Sequence, residues 1–117
     1  MILQIQVKRH TPEVGVLELD GRLLMGNDSR QIEWSVAELL KEGIKKVVFD
    51  LTNLEGIDST GVGILVMCHA KLQKAGGGLR IAGPQGIVND ILLMTHIDRL
   101  MRFHASAQEA TEKFETA

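Results

Sequence analysis

The residues of this chain best placed to do chemistry are Asp58-Ser59-Thr60, two hydroxyls beside a carboxylate, followed at once by Gly61-Val62-Gly63. Three chemistries fit such a trio. Asp58 or Ser59 can cap a helix, accepting from its free first-turn amides. Ser59 can be phosphorylated, because a helix N-terminus accommodates the nearly two negative charges of a phosphoserine. Ser59 can also be a nucleophile, but only with a base at hand. The four histidines, His10, His69, His96 and His104, are scattered, and His69 falls on the core side of its helix. No Ser-His-Asp arrangement follows from them, and the chain is expected not to be an enzyme.

Other chemical signals are weak. Gly61-Val62-Gly63 lacks the third glycine and the context of a dinucleotide site, and no Walker lysine follows a glycine-rich loop. Gly76-Gly77-Gly78 follows a helix and precedes a strand, the wrong order for cradling phosphate. No Cys/His spacing points to zinc, so no metal and no cofactor are expected. The single cysteine, Cys68, reads as a small core residue.

The elements that position Ser59 come from periodicity. Leu3, Ile5 and Val7 alternate with polar residues as in a half-buried strand. Thr11-Pro12-Glu13 is a turn, and Val14 to Asp20 a second strand closing a hairpin, which Gly21 breaks. Asn27 or Asp28 caps a helix to about Lys41, with Ile32, Val36, Leu39 and Leu40 on one face and Gly43 closing it. Trp34 lies off that face, partly packed or serving as a surface anchor. Val47 to Leu51 is a central strand. A helix from the Asp58-Ser59 turn to about Ala75, a strand at Leu79 to Ala82, and a helix from Pro84 follow. That last helix turns Ile87, Val88, Ile91 and Leu92 inward. Leu100 to Phe103 is a final strand, and Ser106-Ala107-Gln108-Glu109 has the spacing of a capping box for a closing helix that buries Ala110 and Phe114. The order implies an α/β fold, an N-terminal β-hairpin joined to a mixed, mainly parallel sheet packed with about four α-helices.

On the helix after Ser59, Gly61, Ile64, Leu65, Cys68, His69, Leu72 and Ala75 form the core stripe. The opposite side should be polar, yet Val62, Gly63, Val66, Met67 and Ala70 are small or apolar. They form a protein-docking patch beside the hydroxyls, unless another element covers them.

Size and composition set the frame. The 117 residues form one domain, 1–117, with 44% hydrophobic and 24% charged residues, ordinary for a soluble protein. A net charge of −2 gives no reason to expect nucleic acid or an anionic membrane. No apolar run nears the ~20 residues that span a bilayer. The N-terminus does not resemble a signal peptide, and one cysteine suits a reducing compartment, so a cytoplasmic location is expected.

The segment Asp50-Leu51-Thr52-Asn53-Leu54-Glu55-Gly56-Ile57-Asp58-Ser59-Thr60-Gly61-Val62-Gly63 closely resembles the signature of STAS domains, the bacterial anti-sigma factor antagonist family. The resemblance implies partner switching. The unphosphorylated protein binds an anti-sigma factor that is also a serine kinase of GHKL type, and so frees a sigma factor. Phosphorylation on Ser59 dissociates the complex, and a metal-dependent serine phosphatase resets it. Asp58 would neighbour the phosphoryl group, with Thr60 a possible second site. The docking surface would comprise Asp58, Val62, Gly63, Val66 and Met67. In one respect the chain departs from the family: where many antagonists carry Gly-Glu-Leu-Asp near the kinase interface, this chain has Gly21-Arg22-Leu23-Leu24. Arg22 and Leu24 then become partner-binding positions for a changed partner. The competing expectation is a constitutive STAS-type subunit of a lipid-transport ATPase or other regulatory complex, with no phosphorylation and Ser59 acting as a cap.

Overall fold

The computed structural model describes residues 2–26 and 28–117. Asn27 and the side chain of Asp28, the two candidate caps of the first helix, lie outside the described residues.

Strands β1 (Gln4–Arg9) and β2 (Val14–Leu23) pair antiparallel as the expected hairpin. Its turn is held by the Thr11 hydroxyl, which accepts from the amides of Glu13 at 3.1 Å and Val14 at 3.0 Å. Helix α1 (Asp28–Lys41) follows and buries Ile32, Val36 and Leu39. Gly43, at φ 80°, closes it as expected: the Ile44 amide reaches back to the Leu39 carbonyl at 2.9 Å.

Next come β3 (Lys46–Asp50), β4 (Leu54–Ile57), α2 (Ser59–Lys74), β5 (Gly78–Ala82), α3 (Gly86–Met94), a 3-10 turn (Ile97–Arg99), β6 (Phe103–His104) and α4 (Ala107–Glu115). The sheet runs β1-β2-β3-β5-β6, with β4 joined only to β2. All pairs after the hairpin are parallel, which is the mixed, mainly parallel sheet with four helices that the sequence implied.

The pleat divides the core. Leu17, Leu19, Val47, Phe49, Leu79 and Ile81 point to the face that also buries α1, α2 and α3 residues. Val14, Val16, Val48 and Ala82 point to the other face and meet Ala110 and Phe114 of α4. The first half of the α4 capping box forms, the Ser106 hydroxyl accepting from the Glu109 amide at 3.2 Å, while the Glu109 carboxylate takes the Ala105 amide at 3.1 Å in place of that of Ser106.

Four local expectations are corrected. Strand β2 does not stop at Gly21. It bulges there, with the register shifting between Gly21 and Arg22, and continues to Leu23 along a new partner, β4. Gly21 permits this because its φ is +101° and a Cβ would lie 2.6 Å from the Ile2 carbonyl oxygen. Strand β4 itself carries only four residues, one a glycine, behind a turn, so it has no periodic signature. Helix α3 starts at Gly86 instead of Pro84, and Ile87 is 58% exposed while Val88 and Leu92 are buried. Finally, the segment read as a strand at Leu100–Phe103 is mostly a turn. His96 is left-handed at φ 61°, and Ile97 and Met101 are buried four residues apart, a helical spacing that leaves only Phe103 and His104 for the sheet.

Candidate functional site

Helix α2 begins at Ser59, and its cap is Asp58. The Asp58 backbone is extended (φ −119°, ψ −173°), and its Oδ1 accepts from the Gly61 amide at 2.9 Å. The other carboxylate oxygen, Oδ2, accepts from the Met25 amide at 3.0 Å. The Asp58 amide in turn donates to the Leu23 carbonyl at 3.3 Å. One residue therefore closes the helix and ties it to the end of β2. Backbone amides, Gly61 foremost and then Met25 and Thr60, hold its carboxyl below the usual carboxylate range against a smaller opposing effect of burial. Asp58 is thus an anion at neutral pH.

With Asp58 as the cap, Ser59 is free of that duty. It is the exposed first residue of the helix, and Thr60 beside it is half-buried. The reading in which Ser59 itself caps α2 is therefore corrected. His69 lies ten residues further on, about 15 Å along the axis. Its Nδ1 accepts from the Leu79 amide at 3.1 Å, so it serves the end of β5.

Gly61 is where α2 crosses the end of β2. A Cβ there would lie 2.6 Å from both the Ile57 side chain and the Leu23 carbonyl oxygen. Below it, Ile64, Leu65, Cys68 and Leu72 are buried. His69 is half-buried and Ala75 exposed, so the expected stripe ends at Leu72. Burial pushes the Cys68 thiol up to about 12, which leaves it unreactive.

Ser59 heads the opposite stripe. Val62, Gly63, Val66 and Ala70 follow it at three, four, seven and eleven positions, with Met67 alongside. Val66 is 37% and Met67 56% exposed, Gly63 has open space where a side chain would be, and no described element covers them. Val62 departs from expectation: it is half-buried and packs on the core beneath the patch.

The bulge at Gly21 brings the β2 end to the same place. Arg22 pairs with Gly56 and its aliphatic stem lies over that glycine, while Leu24 is 37% and Met25 79% exposed. Met25 was not legible as a site residue, since its role depends on its amide. Trp34 is 66% exposed on α1, so the partly packed alternative is corrected.

A profile of the STAS domain matches residues 5–110. The chain belongs to the STAS family. A Thermotoga maritima protein bearing the provisional name of anti-sigma factor antagonist is 29% identical over 98 residues, spanning 78% of this chain and 87% of the relative. A crystal structure of a Thermotoga maritima protein with that provisional name superposes at a TM-score of 0.85 with 25% identity, covering 95% of this chain and 94% of the other. The phosphorylated form of the Bacillus cell fate determinant SpoIIAA has the same fold, at a TM-score of 0.74 and 21% identity over 94% of this STAS chain and 98% of that one. Among the described residues, no helix is long and apolar enough to cross a membrane.

Proposed function

We propose that this STAS protein is an anti-sigma factor antagonist that works by partner switching. In its unphosphorylated form it docks an anti-sigma factor with GHKL-type serine kinase activity, through Val66, Met67, Gly63 and the adjoining Leu24 and Met25. Phosphorylation on Ser59 dissociates the pair, and a serine phosphatase restores binding. The observation that carries this reading is the division of labour at the start of α2. Asp58 caps the helix, which leaves Ser59 exposed at the head of an uncovered apolar stripe. A phosphate there gains from the helix N-terminus, so the helix persists. A partner seated on the stripe, however, would have to desolvate a dianion beside the Asp58 carboxylate. The names of the Thermotoga relatives and the existence of a phosphorylated STAS relative support the same reading.

The test is to purify the protein from its native host and map phosphate by intact mass and peptide sequencing, with and without phosphatase. One removable phosphate on Ser59 is expected. A chain never phosphorylated, yet copurifying with a fixed partner, would establish the constitutive-subunit reading in its place.

A further inference from the structure

A second site lies at the other end of α2, where the N-terminal end of β5 meets the turn before β6. A cleft of about 380 Å³ opens there, lined by Arg80 of β5, Arg99 and Arg102 of the turn, and His69, Asp98 and Phe114. Its size falls in the range of small-ligand sites. Arg80 is nine-tenths buried, on the α4 face of the sheet. Its guanidinium stacks on the Phe114 ring with 4.2 Å to the centroid, and Nη1 lies 3.4 Å from the His104 ring. Lys46 sits over the same ring at 5.9 Å.

Arg80 differs from the chain's other cations in being buried. Lys8, Arg9, Lys41 and Lys113 each pair with a glutamate. Among the described residues, none of the three cleft arginines has a carboxylate within ion-pair distance, and Arg102 is close enough to Arg80 to repel it. Asp98 is the one acid lining the cleft, and Glu109, the carboxylate that acts on His104, is taken by Lys113. Three arginines against one acid thus give the cleft a positive excess in a chain of net charge −2. Burying a guanidinium without a counter-charge is costly, and an anion held between the arginines would offset both the burial and their repulsion.

We propose that Arg80, Arg99 and Arg102 form a binding site for a phosphate group, carried as the free ion or on a small molecule. Arginine forks match the tetrahedral oxyanion, and the stacked Arg80 is pre-organised for it. A site of this size, lined by one buried and two exposed arginines, fits a single small anion. Lipid surfaces and nucleic acids are instead met by broad, exposed basic faces. The site is independent of Ser59 and of the partner that docks there.

The experiment is an amide NMR titration of the full chain with inorganic phosphate and, separately, glycerol 3-phosphate, against chloride at matched ionic strength. Saturable shifts confined to Arg80 and residues 98–102 are expected, and the tighter of the two probes tells free ion from monoester. Replacing the exposed pair, Arg99→Gln with Arg102→Gln, should weaken binding about tenfold or more, as loss of charge-assisted hydrogen bonds does. Asp98→Asn, which removes no arginine, should tighten it. Non-saturating shifts equal to those of chloride, or affinities indifferent to all three substitutions, would overturn the site.

Discussion

The carboxylate of Asp58 spans Gly61 and Met25: Oδ1 takes the amide of the first at 2.9 Å and Oδ2 the amide of the second at 3.0 Å. The start of α2 and the loop leaving β2 are therefore held by a single anion next to Ser59. Charge placed on Ser59 acts on that anion first.

Asp58→Ala removes both bonds and should cost about 1–2 kcal/mol, as strong caps do. Ser59→Ala removes no cap and should stay within about 0.5 kcal/mol of the parent. Urea denaturation of the two variants checks this. Equal losses would mean that the serine shares the capping role.

Phosphorylating Ser59 places a dianion beside Asp58, and repulsion should weaken the bond to the Met25 amide. Hydrogen exchange at Met25 should speed up while the interior of α2 stays protected. An unchanged Met25 amide in the fully phosphorylated protein would break this link. In binding assays, Ser59→Asp should abolish capture of the partner, while Ser59→Ala should retain it and resist phosphorylation.

The two glycines flanking Val62 should respond oppositely. Gly61→Ala drives a methyl into Ile57 and the Leu23 carbonyl, and overpacking of that kind costs about 1–3 kcal/mol. Gly63→Ala meets open space inside a helix and should gain about 0.5–1 kcal/mol. It should still weaken partner binding, because the methyl stands on the proposed docking stripe. Thermal melts and a pull-down on the same two variants decide the matter.

Val66→Asp and Met67→Asp, on exposed positions, should impair docking and leave the fold within about 0.5 kcal/mol. Val62→Asp should instead destabilise the domain, since that side chain packs on the core. Loss of cooperative unfolding in the Val66 or Met67 variant would place those residues in the core.

Stability should depend on pH through two imidazoles. Burial lowers the pKa of His69, whose Nδ1 must be neutral to accept from Leu79, and burial and then Arg80 lower that of His104. Both folded-state values lie below the unfolded value of about 6.5, so the unfolded chain takes up protons first. Stability is full above that pH, falls as pH drops below it, and levels once the folded-state values are passed. Asp58 adds a separate loss at lower pH, as acid protonates it through its depressed value. Midpoints of urea unfolding measured from about pH 8 to 5 should decline, and His69→Gln should flatten the slope. A midpoint that rises on acidification would contradict the assignment.

The sequence by itself determined the hairpin, the four helices, the parallel sheet and the Ser59 neighbourhood. Each of these rests on local information: alternation in β1, a heptad-like stripe in α1, Gly43 at a helix end, a capping pattern before α4, and a long signature through Gly63. It also marked Val66 and Met67 as apolar where a solvated face should be polar. Tertiary structure decided what local pattern cannot carry. Strand β4 exists because the bulge at Gly21 swings β2 onto it, a pairing between segments some thirty residues apart. That pairing delivers Leu23 and Met25 to Asp58, settles which residue caps α2, and accompanies a Val62 that is half-buried against the core. The cluster of Arg80, Arg99 and Arg102 is likewise invisible in one dimension. Three arginines on a strand and a turn become a site only when the fold buries one of them beside the others.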